Sequence, residues 1–127
     1  LRWLAQWIRT NFAPGGRWND RRLVLFTEFE DTRRWLQKRL GEALDDLNPD
    51  ERMAAFTGAT TADRREDLKR RFNADPATDP LRILICTDAA REGINLQARC
   101  HDLIHVDLPW NPARLEQRNG RIDRKLQ

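Results

Sequence analysis

Apolar residues recur along the chain with two different periods, and the alternation between them predicts the fold. Leu1 to Phe12 places Trp3, Leu4, Trp7, Ile8 and Phe12 three and four apart, the stripe of a helix, and Pro14-Gly15-Gly16 ends it. From Leu23 to Phe26 four apolar residues follow one another without alternation, as in a strand covered on both faces. Helical spacing then returns at Trp35, Leu36, Leu40 and Leu44. Met53 to Phe56 reads as a short strand, and Thr61 to Phe72 as a helix opened by Thr and Asp capping residues. Leu81 to Cys86 is a third strand after the Pro76 to Pro80 loop. Leu103 to Val106 supplies a fourth. Pro109-Trp110-Asn111-Pro112 then makes a turn in which Asn111 caps, and Pro112 occupies the first position, of a helix through about Ile122.

Strands that alternate with helices imply a parallel sheet with helices on both faces, so the expected class is α/β, a doubly wound sandwich. Ligands of such sheets bind beyond the carboxyl ends of the strands, where the loops after Phe26, Phe56, Cys86 and Leu108 gather.

The chain's 127 residues are enough for one domain with its own core, and residues 1–21 read as a lead-in helix and loop. The lack of an initiating Met, and an end at Lys125-Leu126-Gln127 without a helix stop, suggest a piece of a longer protein. Lysine and arginine number 23 against 20 acidic residues, a net charge of +3, too small an excess for a purely electrostatic nucleic-acid binder. Cys86 and Cys100 form no C-x-x-C pair, which fits a reducing compartment. No apolar stretch approaches the roughly 20 residues that span a bilayer, so no membrane partner is expected. The Arg- and Ala-rich composition is associated with a bacterial source, and with the cysteine usage a cytoplasmic location is expected.

The candidate chemistry lies near the end of the chain. On a helix, Arg121 and Arg124 share a face and Gln117 stands one turn earlier on the same side. Two guanidinium forks suit a phosphoryl group that loads negative charge in its transition state, although a solvated basic helix end would read the same way.

Neighbouring motifs favour the first reading. Gln117 to Arg124 resembles motif VI of superfamily 2 helicases, Q-R-x-G-R-x-x-R, and Thr87-Asp88-Ala89-Ala90-Arg91-Glu92-Gly93-Ile94-Asn95-Leu96-Gln97 resembles motif V. Val24 to Phe29 is similar to motif IV. Phe56-Thr57-Gly58, followed by Arg65 and Phe72, resembles the strand-turn-helix after it, and Asp107-Leu108-Pro109-Trp110-Asn111-Pro112 the segment before motif VI. The resemblance runs from about Arg22 to Arg124. It is closest to the Snf-type, chromatin-remodeller-like DNA translocases, although those continue after motif VI with a Gly-Gln absent here.

This resemblance implies the C-terminal lobe of a two-lobe motor, a RecA-like three-layer sandwich with a mainly parallel sheet. It implies that Arg121 and Arg124 act as arginine fingers on ATP bound to the other lobe, with Gln117 placing the phosphate or attacking water. Gly93 and Asn95 would lie against the nucleotide. Thr27, Gly58, Arg65 and Thr87 would contact the backbone of a nucleic acid, with double-stranded DNA the favoured track. The chain contains no G-x-x-x-x-G-K-[ST] phosphate loop and no D-E-x-[HD] segment. ATP and magnesium are therefore assigned mainly to an N-terminal lobe, and this piece alone is expected to be inactive.

Other features receive blander readings. Arg64, Lys69, Arg70 and Arg71, interrupted by Glu66 and Asp67, read as a solvated helix face. His101 and His105 are assigned no chemistry and no metal. Core packing is expected for Trp3, Trp7 and Trp35, and Trp110 is expected to buttress the motif VI helix. The competing classes are a non-catalytic α/β module that binds nucleic acid or protein, and a flavodoxin-like domain. The latter would need an acidic or glycine-rich loop after the first strand, which Thr27-Glu28-Phe29-Glu30 does not supply.

Overall fold

The computed structural model describes residues 1–87, 102–107 and 121–126. In chain order its elements are α1 (Arg2–Phe12), β1 (Leu23–Thr27), α2 (Glu30–Ala43), α3 (Pro49–Arg52), β2 (Met53–Phe56), α4 (Ala62–Asn73), β3 (Ile83–Thr87), β4 (Asp102–Asp107) and β5 (Arg121–Leu126). The strands form one sheet in the order β2-β3-β1-β4-β5. The first four are parallel, and β5 runs antiparallel along β4.

All five positions of β1 and of β3 are buried, as expected of central strands covered on both sides. Because successive side chains of a strand point to opposite faces, each strand feeds two cores. Leu23, Leu25, Ile83, Ile85, Ile104 and Val106 pack with Leu4, Ile8 and Phe12 of α1 and with Leu36 and Leu40 of α2. Val24, Phe26, Ala54, Phe56, Leu84 and Cys86 pack with Leu68 and Phe72 of α4. The chain passes from β1 through α2 across the sheet to β2, then back through α4 to β3. Reversing direction while keeping right-handed crossovers puts the two helices on opposite faces.

Local chemistry starts and stops these elements where the sequence suggests. Gly15 and Gly16 follow α1 with φ of 69° and 84°, a left-handed backbone that glycine adopts without steric cost. Glu30 and Asp31 sit in the first turn of α2, where the helix dipole favours negative charge. The Thr61 hydroxyl caps α4 by accepting from the Arg64 N–H at 3.2 Å. The charges of α4 pair with one another, Arg64 and Arg70 with Asp67 and Lys69 with Glu66, which fits a solvated face.

Two expectations are corrected. Trp3 is 48% exposed and stacks on Trp7 with centroids 6.3 Å apart. The buried stripe of α1 is Leu4, Ala5, Ile8 and Phe12, and Trp3 lies about 100° round the helix from Leu4, at the stripe's edge. The second correction concerns the chain end. Residues 121–126 form a strand and not the end of a helix, with Asp107 paired to Arg121 and Ile104 to Arg124. The free edge of β4 offers unpaired N–H and C=O groups, and a charged segment with apolar positions at 122 and 126 can satisfy them. The helical spacing that put Arg121 and Arg124 on one face does not apply to residues 121–126, which are not helical.

The amino ends of the strands carry a buried polar layer. Arg22 is fully buried. Its Nε donates to the Leu81 carbonyl at 3.0 Å and its Nη1 to those of Phe72 and Ala74 at 2.5 and 2.6 Å. Arg21 Nη2 meets Asp102 Oδ2 at 2.6 Å, with the Asp102 side chain fully buried. Arg82 donates to the carbonyls of Asn19, Pro76, Asp79 and Leu81. Burial lowers the Arg82 pKa, and the nearby Arg52 charge adds to that effect.

Asp79 lies beside this layer. Its carboxylate accepts from Arg71 Nε at 3.0 Å and Nη2 at 3.2 Å, and from the Leu81 N–H at 3.0 Å. Burial pushes its pKa upward, but the Arg71 and Leu81 donors together outweigh that and hold it below the usual carboxylate range. A carboxylate with a depressed folded pKa contributes stability that is present above its unfolded pKa, about 3.9, and is lost as pH falls through the folded value. Asp79→Asn is expected to flatten the acid limb of stability below about pH 4. Urea titrations at a series of pH values check this; an acid limb identical to wild type would contradict it.

Candidate nucleic-acid and nucleotide interface

The carboxyl ends of β1, β2 and β3 bring three candidate residues to one edge of the sheet. Thr27 and Thr87 end adjacent parallel strands and are direct register partners. Phe56, the last residue of β2, pairs with Cys86, so the turn beginning at Thr57 and Gly58 emerges one residue from Thr87 on the next strand over. Thr27, Thr57 and Thr87 are 4%, 8% and 5% exposed, whereas Gly58 and Ala59 are exposed. The edge therefore presents backbone at the Gly58 turn, with the buried threonines Thr27 and Thr87 at the strand ends beside it. Hydroxyls and amide N–H groups bind phosphate oxygens without reading a base.

Arg65, the fourth expected contact, is turned inward. Its Nε donates to the Thr60 carbonyl at 3.0 Å, and its Nη2 to the carbonyls of Thr57 at 3.1 Å and Gly58 at 3.3 Å. Its guanidinium lies 5.3 Å over the Phe56 ring. The spacing of Arg65 from Gly58 marked it as part of the motif; its contacts depend on the turn geometry, which spacing does not encode.

In backbone register Arg121 stands opposite Asp107 at the carboxyl end of β4, the same end of the sheet as Thr27 and Thr87. Arg124 pairs with Ile104, whose other neighbour is Leu25, at mid-sheet. Gln117, Gly93 and Asn95 lie outside the described residues, as do the turn at Trp110 and the segment 112–120. His105 stacks on Phe26 with centroids 5.6 Å apart, a packing role. Among the described residues no three His, Cys, Asp or Glu side chains are grouped as a metal ion would require. Nor is any helix among them long and apolar enough to cross a membrane. Phe29, 54% exposed, is an apolar surface residue just beyond Thr27 that the helical and strand periods did not flag.

Comparison with known proteins agrees with this fold. Residues 11–125 match the family described as the helicase conserved C-terminal domain. The chain is 38% identical over 105 residues to the uncharacterized ATP-dependent helicase YqhH of Bacillus subtilis (strain 168), covering 83% of this chain and 17% of that protein. It is 48% identical over 46 residues to the RNA polymerase-associated protein RapA of Yersinia enterocolitica, covering 36% of this chain and 5% of RapA. The RapA of Yersinia pestis (strain Pestoides F) gives the same figures. The chain thus spans about a sixth of the length of YqhH.

Proposed function

The chain belongs to the family of helicase conserved C-terminal domains, and from that premise we propose that it is the second motor lobe of an ATP-dependent nucleic-acid translocase or helicase. Double-stranded DNA is the track the Snf-type features favour. The observation that carries the reading is the gathering of Thr27, Thr87 and the Gly58 turn at one edge of a parallel sheet, in a chain whose family match covers residues 11–125. These groups grip successive phosphates of a strand. Contacts of that kind bind any sequence, as a motor that moves along its track requires.

Nucleotide chemistry is divided between two lobes. ATP and magnesium are held mainly by the N-terminal lobe, since this chain has no phosphate loop. Arg121 and Arg124 supply positive charge to the terminal phosphate as it is transferred, Gln117 orients the phosphate or water, and Gly93 and Asn95 approach the nucleotide. The stabilisation is electrostatic and is realised only when the lobes close. The pairing of position 121 with Asp107, at the carboxyl end of β4, supports the role of Arg121 most directly. Opening and closing of the lobes then moves the threonine and glycine contacts along the strand.

The test is ATP hydrolysis by the full-length parent with and without duplex DNA, in parallel with the 127-residue chain. DNA-stimulated turnover in the parent and none in the chain is the expected result. A parent without turnover on any nucleic acid would instead indicate a non-catalytic binding module.

A further inference from the structure

The turn after β2 is closed by its own groups and then locked from α4. Within it the Thr57 N–H donates to Thr60 Oγ1 at 2.9 Å, the Ala59 N–H to Thr57 Oγ1 at 3.1 Å, and the Thr60 N–H to the Thr57 carbonyl at 3.2 Å. From α4, Arg65 adds three donations to the carbonyls of Thr57, Gly58 and Thr60 while its guanidinium rests on Phe56. The Gly58 N–H is the one amide of residues 57–60 left out of these bonds, and Gly58 is exposed.

The Thr57 carbonyl and the Gly58 N–H are the two poles of a single peptide unit. That unit is planar and trans, so they point in opposite directions. Holding the carbonyl inward, by Arg65 and by the Thr60 N–H together, aims the Gly58 N–H away from the protein.

We infer that Arg65 is a positioning residue of the nucleic-acid grip: it does not bind a phosphate itself but fixes the Thr57–Gly58 peptide plane so that the Gly58 amide meets a backbone phosphate. The inference rests on the proposal that this edge grips nucleic acid. A planar guanidinium is required, because one flat fork reaches three carbonyls and still stacks on Phe56. A lysine ammonium would keep the charge but lose that geometry.

The experiment measures binding of a mixed-sequence duplex DNA to the full-length parent over a salt series, for wild type, Arg65→Ala, Arg65→Lys and Thr60→Val. Thr60→Val removes the hydroxyl that accepts from the Thr57 N–H and loosens the turn without altering any charge. All three variants are expected to lose about tenfold in affinity through lost pre-organisation. The slope of log affinity against log salt should not change. Hydrogen exchange at the amides of positions 59 and 60 should accelerate in each, while the amides of β1 and β3 keep wild-type protection, which identifies a folded domain.

A direct phosphate ligand would behave differently. Arg65→Ala would then lower the slope by about 0.9, Arg65→Lys would restore it, and Thr60→Val would bind as wild type. That pattern, or unchanged exchange at positions 59 and 60, overturns the inference. A wild-type parent that shows no affinity for duplex DNA would instead remove the reading of this edge as a grip, an outcome distinct from either.

Discussion

Arg121→Ala in the full-length parent is expected to lower DNA-stimulated ATP hydrolysis by about a thousandfold or more while leaving duplex binding near wild type. The two effects separate because the groups assigned to each task sit on different strands. Thr27, Thr87 and the Gly58 turn lie on β1, β3 and after β2, whereas Arg121 belongs to β5, across β4. A cation that matters only when phosphoryl charge develops contributes to the transition state and little to the ground state, so turnover falls with little change in the KM for ATP. Arg121→Lys should recover only part of the loss, since it keeps the charge without the bidentate fork. Arg124→Ala, assayed beside it, shows whether both arginines act on one phosphate: losses that fail to multiply in the double variant indicate a shared task. Turnover near wild type in Arg121→Ala would end the arginine-finger assignment.

The largest effect on stability is expected at Arg22. Its guanidinium is fully buried, donates to three backbone carbonyls and lies 5.7 Å over the Phe72 ring. It ties the end of α4 and the start of β3 to β1. Arg22→Ala would take the donor from carbonyls that each cost on the order of 1–3 kcal/mol when left buried and unsatisfied. A net loss of about 3–5 kcal/mol is expected, a large share of a domain's total of about 5–15 kcal/mol. Urea unfolding of the 127-residue chain should show a lower midpoint with an unchanged slope. A loss under about 1 kcal/mol would mean that water or rearranged groups replace the arginine, and that it does not hold the layers together.

Arg22 also marks where sequence reading stops. It precedes the apolar run Leu23 to Phe26 and looks like any charged residue before a strand. Only the carbonyls that α4 and the start of β3 bring around it make burial favourable. The same holds for Arg21 with Asp102, and for Arg82 among the carbonyls of Asn19, Pro76, Asp79 and Leu81. Arg65 is a related case at the other end of the sheet. Its place in the motif was legible from its distance to Gly58, but its inward orientation depends on a turn whose shape arises from Thr57 and Thr60.

Periodicity determined what depends on near neighbours. The unbroken apolar runs at Leu23 to Phe26 and Ile83 to Cys86 read as strands covered on both faces, and the stripes at Leu4 to Phe12 and Leu36 to Leu40 as helices with one buried side. From these the α/β class and the parallel sheet follow, and the spacing of the motifs gives the family. Tertiary structure decided what depends on partners distant in sequence. It fixed the strand order, with β3 between β2 and β1, and the pairing of residues 121–126 to the free edge of β4 where helical spacing had suggested a helix. It also determined which arginines leave water. The physical reason is one of range: a helix or strand is encoded by contacts a few residues apart, whereas burying a charge or extending a sheet requires donors and acceptors that meet only when the chain has folded.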